Sequence, residues 1–364
     1  MPANLTVLVV GGTGAQGAAV VEGNQPLFTT RTWRMLTSSP ELAKSPSYAI
    51  KILTRSATSS TATRLSNLPN VTLFEGSAHH EPDIHQALEG VDIVYCNTNG
   101  FAIGEKAEIY WGIRFFELSR EHNVKHFIWG SIQSAYETSG YQARFRTGHF
   151  DGKQKVANWI TTQATTPMAW SILTSCMYVE MLNELLAPFP EKDESGEEVM
   201  VFKAPVGSGA PPMIYLADLG RYARWLIENP ERSNGMNLKI ATEHLGYEDL
   251  ARTYTEITGR RAIFRDVTLD EYFDSGLFPT PDEKVGHSAE KDDETLQTYR
   301  QNFTGFWNTW KEDVVVRDMK LLDEIMPDRV KSIGDWMKLS GYTGERSSVL
   351  KDYRDATMPK PGNG

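Results

Sequence analysis

Cysteine is scarce: of 364 residues only Cys96 and Cys176 carry thiols, and both sit in apolar runs. That excludes a disulfide-stapled scaffold and points to two buried free thiols. No apolar run approaches the length of a membrane span. Positive charge is in deficit, with 37 Lys and Arg against 47 Asp and Glu and a formal net charge of −10. A nucleic-acid binder needs the opposite balance, and nothing favours an anionic membrane surface. There is no internal repeat and no metal-ligand spacing; the pair His79-His80 is too isolated to form a metal site. The first apolar stretch is short and runs straight into a glycine turn, so it is read as a strand and not as a leader. What is left is a soluble cytoplasmic protein, with apolar residues at 40% to build a sizeable core.

What is present starts with that stretch. Leu5 to Val10 reads as a buried strand. It passes into Gly11-Gly-Thr-Gly-Ala-Gln-Gly17, and a helical segment runs from about Ala15 to Glu22. Strand, tight glycine turn and helix form the first unit of a dinucleotide-binding sheet. Gly11 permits the turn, Gly14 lets the backbone approach a pyrophosphate, and Gly17 lets the helix pack close to the strand. Thr13, Ala15 and Gln16 complete the phosphate-facing set, where helix N–H groups and the positive dipole end meet the anion. The spacing is GxxGxxG, not the commoner GxGxxG, and a purely structural turn is the alternative.

Strands and helices then alternate. Ala49 to Leu53, Val71 to Phe74, Val91 to Cys96, Lys125 to Trp129 and Ala169 to Leu173 read as strands. Pro82 to Leu88, Glu105 to His122 and His149 to Ile160 read as helices between them. This is a Rossmann-type, doubly wound parallel α/β sheet with right-handed crossovers. Between the first helix and the second strand, Gly23 to Pro40 is long for a connection and reads as a surface insertion, or as a lid over the cofactor. The end of the second strand faces the adenosine ribose, where an acid would select NAD and an arginine pairs with the 2′-phosphate of NADP. Arg55, followed by Ser56, therefore favours NADP(H). Asn97, Thr98 and Asn99 end the fourth strand and should lie beside the dinucleotide.

Beyond the sixth strand the reading is looser. Leu182 to Leu186 looks helical and Glu191 to Glu198 an acidic turn. Met213 to Leu216 and Asn237 to Ala241 read as strands, and Leu219 to Glu228 and Tyr247 to Thr258 as helices, the second ended by Gly259. Phe303, Phe306, Trp307 and Trp310 share one helical face, either packing a core or lining a pocket. Met319 to Ile325 and Val330 to Leu339 look helical, and Lys351 to Gly364 reads as a loose terminus. The division expected is a core over 1–175 and a smaller, mostly helical substrate lobe with a C-terminal extension over 176–364, with 213–245 returning to the core.

Gly11 to Gly17, Leu53-Thr-Arg55, Val124-Lys-His-Phe-Ile-Trp129 and His149-Phe-Asp-Gly-Lys153 together resemble the NmrA-like branch of the short-chain dehydrogenase/reductase superfamily. Tyr215-Leu-Ala-Asp-Leu-Gly220 resembles its later strand–helix junction, and the likeness spans roughly residues 4 to 275. The resemblance implies a core that binds NADP(H) and a small lobe over the nicotinamide, in a family holding both reductases and catalytically silent sensors. The superfamily sets a tyrosine and a lysine four residues apart. Here Lys153 takes the lysine position, for the nicotinamide ribose, and His149 takes the tyrosine position. Ser131 falls near the superfamily serine, after Gly130, and Ser77 replaces an aspartate that often follows the third strand. Tyr178 is expected at the cofactor, Tyr141 near the pocket, and Glu108 and Gly112 as scaffold.

Without the tyrosine another acid or base is needed. Glu105, in a glycine-containing turn after the fourth strand, is expected to have a raised pKa and to work with Lys153, although it can equally be an ordinary helix cap. His149 is the weaker candidate, since imidazole titrates near neutrality. Three readings follow: an NADPH-dependent reductase of a small organic substrate in secondary metabolism; a redox-neutral acid/base enzyme, such as one that cyclises an imine, that retains NADP(H); and an NADP-sensing regulator with a protein partner. A homodimer is a further expectation.

Overall fold

The computed structural model describes residues 5–23, 48–275, 280–289, 293–347 and 349. Apart from Gly23, the insertion expected over Gly23 to Pro40 lies outside the described residues, as does the terminus from Lys351.

The first half alternates as expected. β1 (Thr6–Val10), α1 (Ala15–Gly23), β2 (Ala49–Thr54), α2 (Ser60–Ser66), β3 (Val71–Glu75), α3 (Glu81–Leu88) and β4 (Ile93–Cys96) are followed by α4 (Gly100–Glu121) and β5 (His126–Ile132). Then come α5 (Ala135–Thr138), α6 (Gly148–Thr161) and β6 (Ala169–Ser175). The second half contains β7 (Met177–Tyr178), β8 (Phe189–Lys192), β9 (Glu198–Ala204), β10 (Pro212–Ile214), α7 (Leu216–Glu228), α8 (Pro230–Ser233), β11 (Met236–Lys239) and β12 (Glu243–His244). It ends with α9 (Tyr247–Thr258), β13 (Ala262–Asp266), α10 (Leu269–Asp274), α11 (Tyr299–Lys311), α12 (Met319–Ile325) and α13 (Ile333–Ser340).

Seven strands form one sheet in the order β11-β6-β5-β4-β1-β2-β3, all parallel. The order reverses between β1 and β4, where Val10 lies opposite Cys96. Such a reversal leaves a crevice at the carboxyl ends of the strands. The strands are apolar on both faces because helices cover both. One face buries Val7, Val9, Val20 and Tyr222 with α1 and α7; the other buries Leu8, Val10, Phe115, Trp129 and Val156 with α4 and α6. A third cluster holds Phe150, Met177, Phe202, Tyr247 and the α11 aromatics Phe303, Phe306, Trp307 and Trp310. Those four aromatics are buried, which bears out the packing alternative.

Three local expectations change. Glu191 to Glu198, read as a turn, belongs to an antiparallel β8–β9 hairpin, whose turn is held by Asp193 Oδ1 accepting the N–H groups of Ser195 and Glu197. Leu182 to Leu186 is not an α-helix; a 3-10 turn covers Val179–Asn183. The helix expected from Glu105 starts earlier, and Gly104, at φ 77 and ψ 167, kinks α4 just before that residue.

The extension after α11 crosses back over the sheet. Buried Arg317 donates to the carbonyls of Ile240 (3.1 Å) and Ser175 (3.1 Å) and to Gln133 Oε1 (3.0 Å), tying the ends of β5, β6 and β11. Among the described residues no helix is long and apolar enough to cross a membrane, and Cys96 and Cys176 are both free and buried.

Candidate active site at the carboxyl edge of the sheet

The glycine turn packs so tightly that only hydrogen fits at its key positions. Gly11 has φ 74, and a Cβ on it would lie 2.4 Å from the Asn97 carbonyl oxygen. A Cβ on Gly17 would lie 2.2 Å from the Gly11 carbonyl oxygen. The turn closes with the Gly14 N–H donating to Gly11 O at 3.0 Å, and α1 starts with no acidic residue in its first turn. Its first-turn N–H groups and dipole end are thus uncompensated by its own sequence and suit a phosphate. Thr13, Gly14 and Ala15 open onto a cleft that reaches the start of α7.

Gln16 of this loop and Tyr178, both expected at the cofactor, are bonded to each other, and Gln16 also to Tyr95. The Gln16 amide donates to Tyr95 Oη at 2.8 Å, and the Tyr178 hydroxyl donates to Gln16 Oε1 at 3.4 Å. Their side chains form a polar chain from Tyr95 through Gln16 to Tyr178. Near the other end of the crevice Arg55 and Ser56 are exposed after β2. Arg55 lies close enough to His79 to add to the burial that lowers that imidazole's pKa. The Ser77 N–H donates to Asp83 Oδ2 at 2.8 Å and its hydroxyl accepts the His79 N–H at 3.1 Å, so Ser77 shapes this turn.

Lys153 sits one turn into α6. Its ammonium reaches Asn97 Oδ1 (3.0 Å), the Thr98 carbonyl (2.8 Å) and Glu108 Oε1 (3.1 Å). The Thr98 hydroxyl donates to the same Glu108 oxygen at 2.6 Å. With the Thr98 hydroxyl oxygen at 3.3 Å there are four acceptors for three ammonium protons, so a ribose hydroxyl reaching Lys153 has to replace one of them. Glu108, read from sequence as scaffold, is therefore the buried counter-ion of the site. Its other oxygen, Oε2, has no hydrogen-bond partner among the described residues. That oxygen fills the space a side chain would need at Gly100 or Gly152, where a Cβ would lie 2.5 or 2.8 Å away. Gly152, just before Lys153, was the available signal for a group packed there.

The remaining candidates are also engaged. The Ser131 hydroxyl is buried and donates to the Lys153 carbonyl at 3.4 Å. Asn99 immediately precedes α4, beside Thr98. His149 is buried against Phe101, with ring centroids 4.0 Å apart, and its Nδ1 faces the Asn302 amide. Burial first, and then the Lys153 charge, push its pKa down to about 3 despite the Asn302 contact. This overturns its expected role as an acid near neutrality, because an imidazole deprived of water stays neutral. Glu105 is corrected too. Burial pushes its pKa up, but Arg146, at 2.8 Å, and Lys155 outweigh this and hold the carboxyl below its usual range. It is a fixed anion and not a carboxyl poised near neutral pH. Tyr141 is 64% exposed and packs on Tyr136.

Sequence reading also missed Asp151, bonded by the Ser134 hydroxyl at 2.6 Å and by Arg146, and Glu180. Glu180 accepts the Leu216 N–H at 3.0 Å, and burial pushes its pKa up to about 7. Among the described residues no group of His, Cys, Asp and Glu could hold a metal ion.

The sheet order, the glycine turn at its reversal and the lysine facing the same crevice define a dinucleotide-binding α/β protein of Rossmann type. The NmrA-like family model matches residues 3–300, and the chain belongs to that family. An NmrA-like family domain-containing oxidoreductase of Aspergillus hancockii is 23% identical over 288 residues, covering 76% of this chain and 79% of that protein. An NmrA-like family domain-containing protein of Dictyostelium discoideum is 23% identical over 273 residues, covering 73% and 82%. Among solved structures, the negative transcriptional regulator NmrA in complex with NADP has a TM-score of 0.59 at 17% identity, covering 94% of this chain and 93% of that one. The Escherichia coli NADPH-dependent quinone oxidoreductase complexed with NADPH has a TM-score of 0.63 at 15% identity, covering 92% and 99%. These likenesses carry the fold.

Proposed function

We propose that the chain is an NADP(H)-dependent reductase of a small organic substrate, working in the cytoplasm and in secondary metabolism. One juxtaposition carries the reading. The glycine turn and Lys153 meet on the same residue: Gly11 lies against the Asn97 carbonyl, and Lys153 bonds the Asn97 side chain. A phosphate on the turn and a nicotinamide ribose beside Lys153 would then be two ends of one ligand across the crevice. Relatives named as oxidoreductases in Aspergillus, and neighbours solved with NADP or NADPH, support the cofactor and the reaction class.

When bound, the nicotinamide supplies the hydride. The chain's own residues bind and orient it. The α1 turn takes the pyrophosphate, Arg55 pairs the 2′-phosphate, and Lys153 with Asn97 and Thr98 forms the ribose-side wall. The acid/base alternative is the weaker reading, because the groups it relied on, Glu105 and His149, are held as a fixed anion and a fixed neutral ring. An NADP-dependent regulator with a protein partner is favoured by one observation, the histidine at the tyrosine position.

The test is to follow NADPH absorbance and product together over a panel of carbonyl and imine compounds. Stoichiometric NADPH loss supports the reductase, product without loss supports a redox-neutral enzyme, and NADP-dependent partner binding without turnover supports the regulator. Titration of both dinucleotides checks the cofactor: Arg55→Ala should remove about 1.5–3 kcal/mol of preference for NADP(H). An unchanged preference would take Arg55 out of the site.

A further inference from the structure

The histidine at the tyrosine position has a partner from far along the chain. Asn302 lies on α11, beyond the 3–300 stretch that the family model matches, and is fully buried. Its Nδ2 is 2.9 Å and its Oδ1 3.1 Å from the same ring nitrogen, His149 Nδ1. One nitrogen makes one of these bonds at a time, and the choice fixes where the ring proton sits. With the proton on Nδ1, the ring donates to Oδ1, and both amide N–H groups stay buried with no acceptor among the described residues. With the proton on Nε2, the amide donates to the Nδ1 lone pair, one amide N–H and the carbonyl oxygen are left, and the ring's own Nε2–H is added, on an atom that is not among those buried without a partner. Buried donors without a partner are rarer in proteins than under-bonded carbonyl oxygens. The shorter contact points the same way.

Two features keep this arrangement in place. The ring is packed between Phe101, at 4.0 Å, and Phe150, at 4.5 Å between centroids, which opposes rotation that would exchange its nitrogens. α11 is seated on the short segment leading into α6. A Cβ on Gly305 would lie 1.9 Å from the Arg146 carbonyl oxygen, and the Gly148 N–H donates to Gln297 Oε1 at 2.7 Å. His149 and Lys153 are one helical turn apart and share a face of α6.

We propose that Asn302 is a positioning residue that holds His149 as the neutral tautomer protonated on Nε2, so that the tyrosine position offers a hydrogen-bond donor to a carbonyl or imine acceptor of the substrate. A neutral imidazole N–H polarises such an acceptor without giving up its proton, and stabilises negative charge as it develops there during reduction. The substrate class, but not the tautomer, rests on the reductase reading.

The test is a long-range proton–nitrogen NMR correlation of the histidine rings in 15N-labelled full-length protein at neutral pH, with His149→Gln to assign the signal. The expected result is a protonated, pyrrole-type Nε2 and an unprotonated, pyridine-type Nδ1. Asn302→Asp has nearly the same shape and, once ionised, can only accept, so at a pH high enough to ionise it the variant should carry a proton on Nδ1. If turnover is found, that variant should also lower kcat by about 10²–10³-fold while the KM for NADPH stays near wild type. A wild-type ring protonated on Nδ1, or a spectrum that the ionised Asn302→Asp variant leaves unchanged, overturns the inference. The wild-type spectrum decides even if the variant does not fold. Absence of turnover with the expected tautomer defeats the reductase reading alone.

Discussion

The two sides of the crevice recognise a ligand by different means. On the β1 side the binding groups are backbone: a glycine turn with no room for a side chain at Gly11 or Gly17 and a helix start with no acidic residue of its own. On the side of β4 to β6 they are side chains, each held by another. Lys153 is taken by Asn97, Thr98 and Glu108; His149 faces Asn302; Glu105 is taken by Arg146 and Lys155; Ser134 bonds Asp151. The first side can receive an anion without rearranging. The second must give up an internal partner for many of the contacts it makes. A substitution on the turn should therefore act by steric conflict, and one in the network through whatever partner it strands.

The largest effect expected is from Lys153→Met. It leaves Glu108 buried without its counter-charge, bonded only by the Thr98 hydroxyl, and breaking a buried pair from one side costs about 3–5 kcal/mol. Denaturant unfolding should show that loss, and adding Glu108→Leu should restore a large part of it. A Lys153→Met protein as stable as wild type would mean the pair is not formed. On the turn, Gly17→Ala sets a Cβ against backbone that cannot yield, at a cost of about 1–3 kcal/mol and with loss of dinucleotide affinity. Retained affinity for NADP+ by calorimetry would break the contrast between the two sides.

A pH series tests the neutral histidine. The folded His149 pKa, about 3, lies below the ordinary 6.5. Below pH 6.5 the unfolded chain therefore takes up a proton that the folded chain refuses, and stability is lost from there down toward about 3. His149→Leu removes that loss. Its stability relative to wild type should improve by up to about 1.4 kcal/mol for each pH unit below the ordinary imidazole value. The stranded Asn302 adds an offset, so the slope, not the intercept, is the readout; a flat difference would mean the ring titrates normally in the fold. The smallest effect is expected at Glu105. Glu105→Gln loses ion pairs to two half-exposed cations, worth about 1 kcal/mol or less, with turnover near wild type. A large fall in kcat would return Glu105 to the chemistry.

The core of the fold was legible because its strands are apolar runs and its turn is a dense glycine pattern. β1 to β6 fall where those runs predict them, and the family resemblance carried by the same residues holds. The β8–β9 hairpin was hidden by its composition. Glu191, which made it look like a turn, pairs with Lys203 and Arg265 on neighbouring strands. The site was legible only in part. Glu108 and Lys153 lie on different helices, and Asn302 is far from His149 in sequence; such pairs have no period and no local spacing. The two pKa expectations failed for the same reason, since burial of His149 and the cations around Glu105 are products of packing.

Arg317 gives the molecule a schedule as well as a shape. The sheet it fastens is complete once β11 has been made, yet the residue that joins the ends of β5, β6 and β11 is synthesised well after it. Asn302 and Gln297, which settle the start of α6, are also late. During synthesis this edge is expected to stay open, with the Ile240 and Ser175 carbonyls still hydrated, until Arg317 emerges. Nascent chains halted before and after Arg317 should differ in protease resistance at this edge, and equal resistance would show that the sheet does not wait for its fastening.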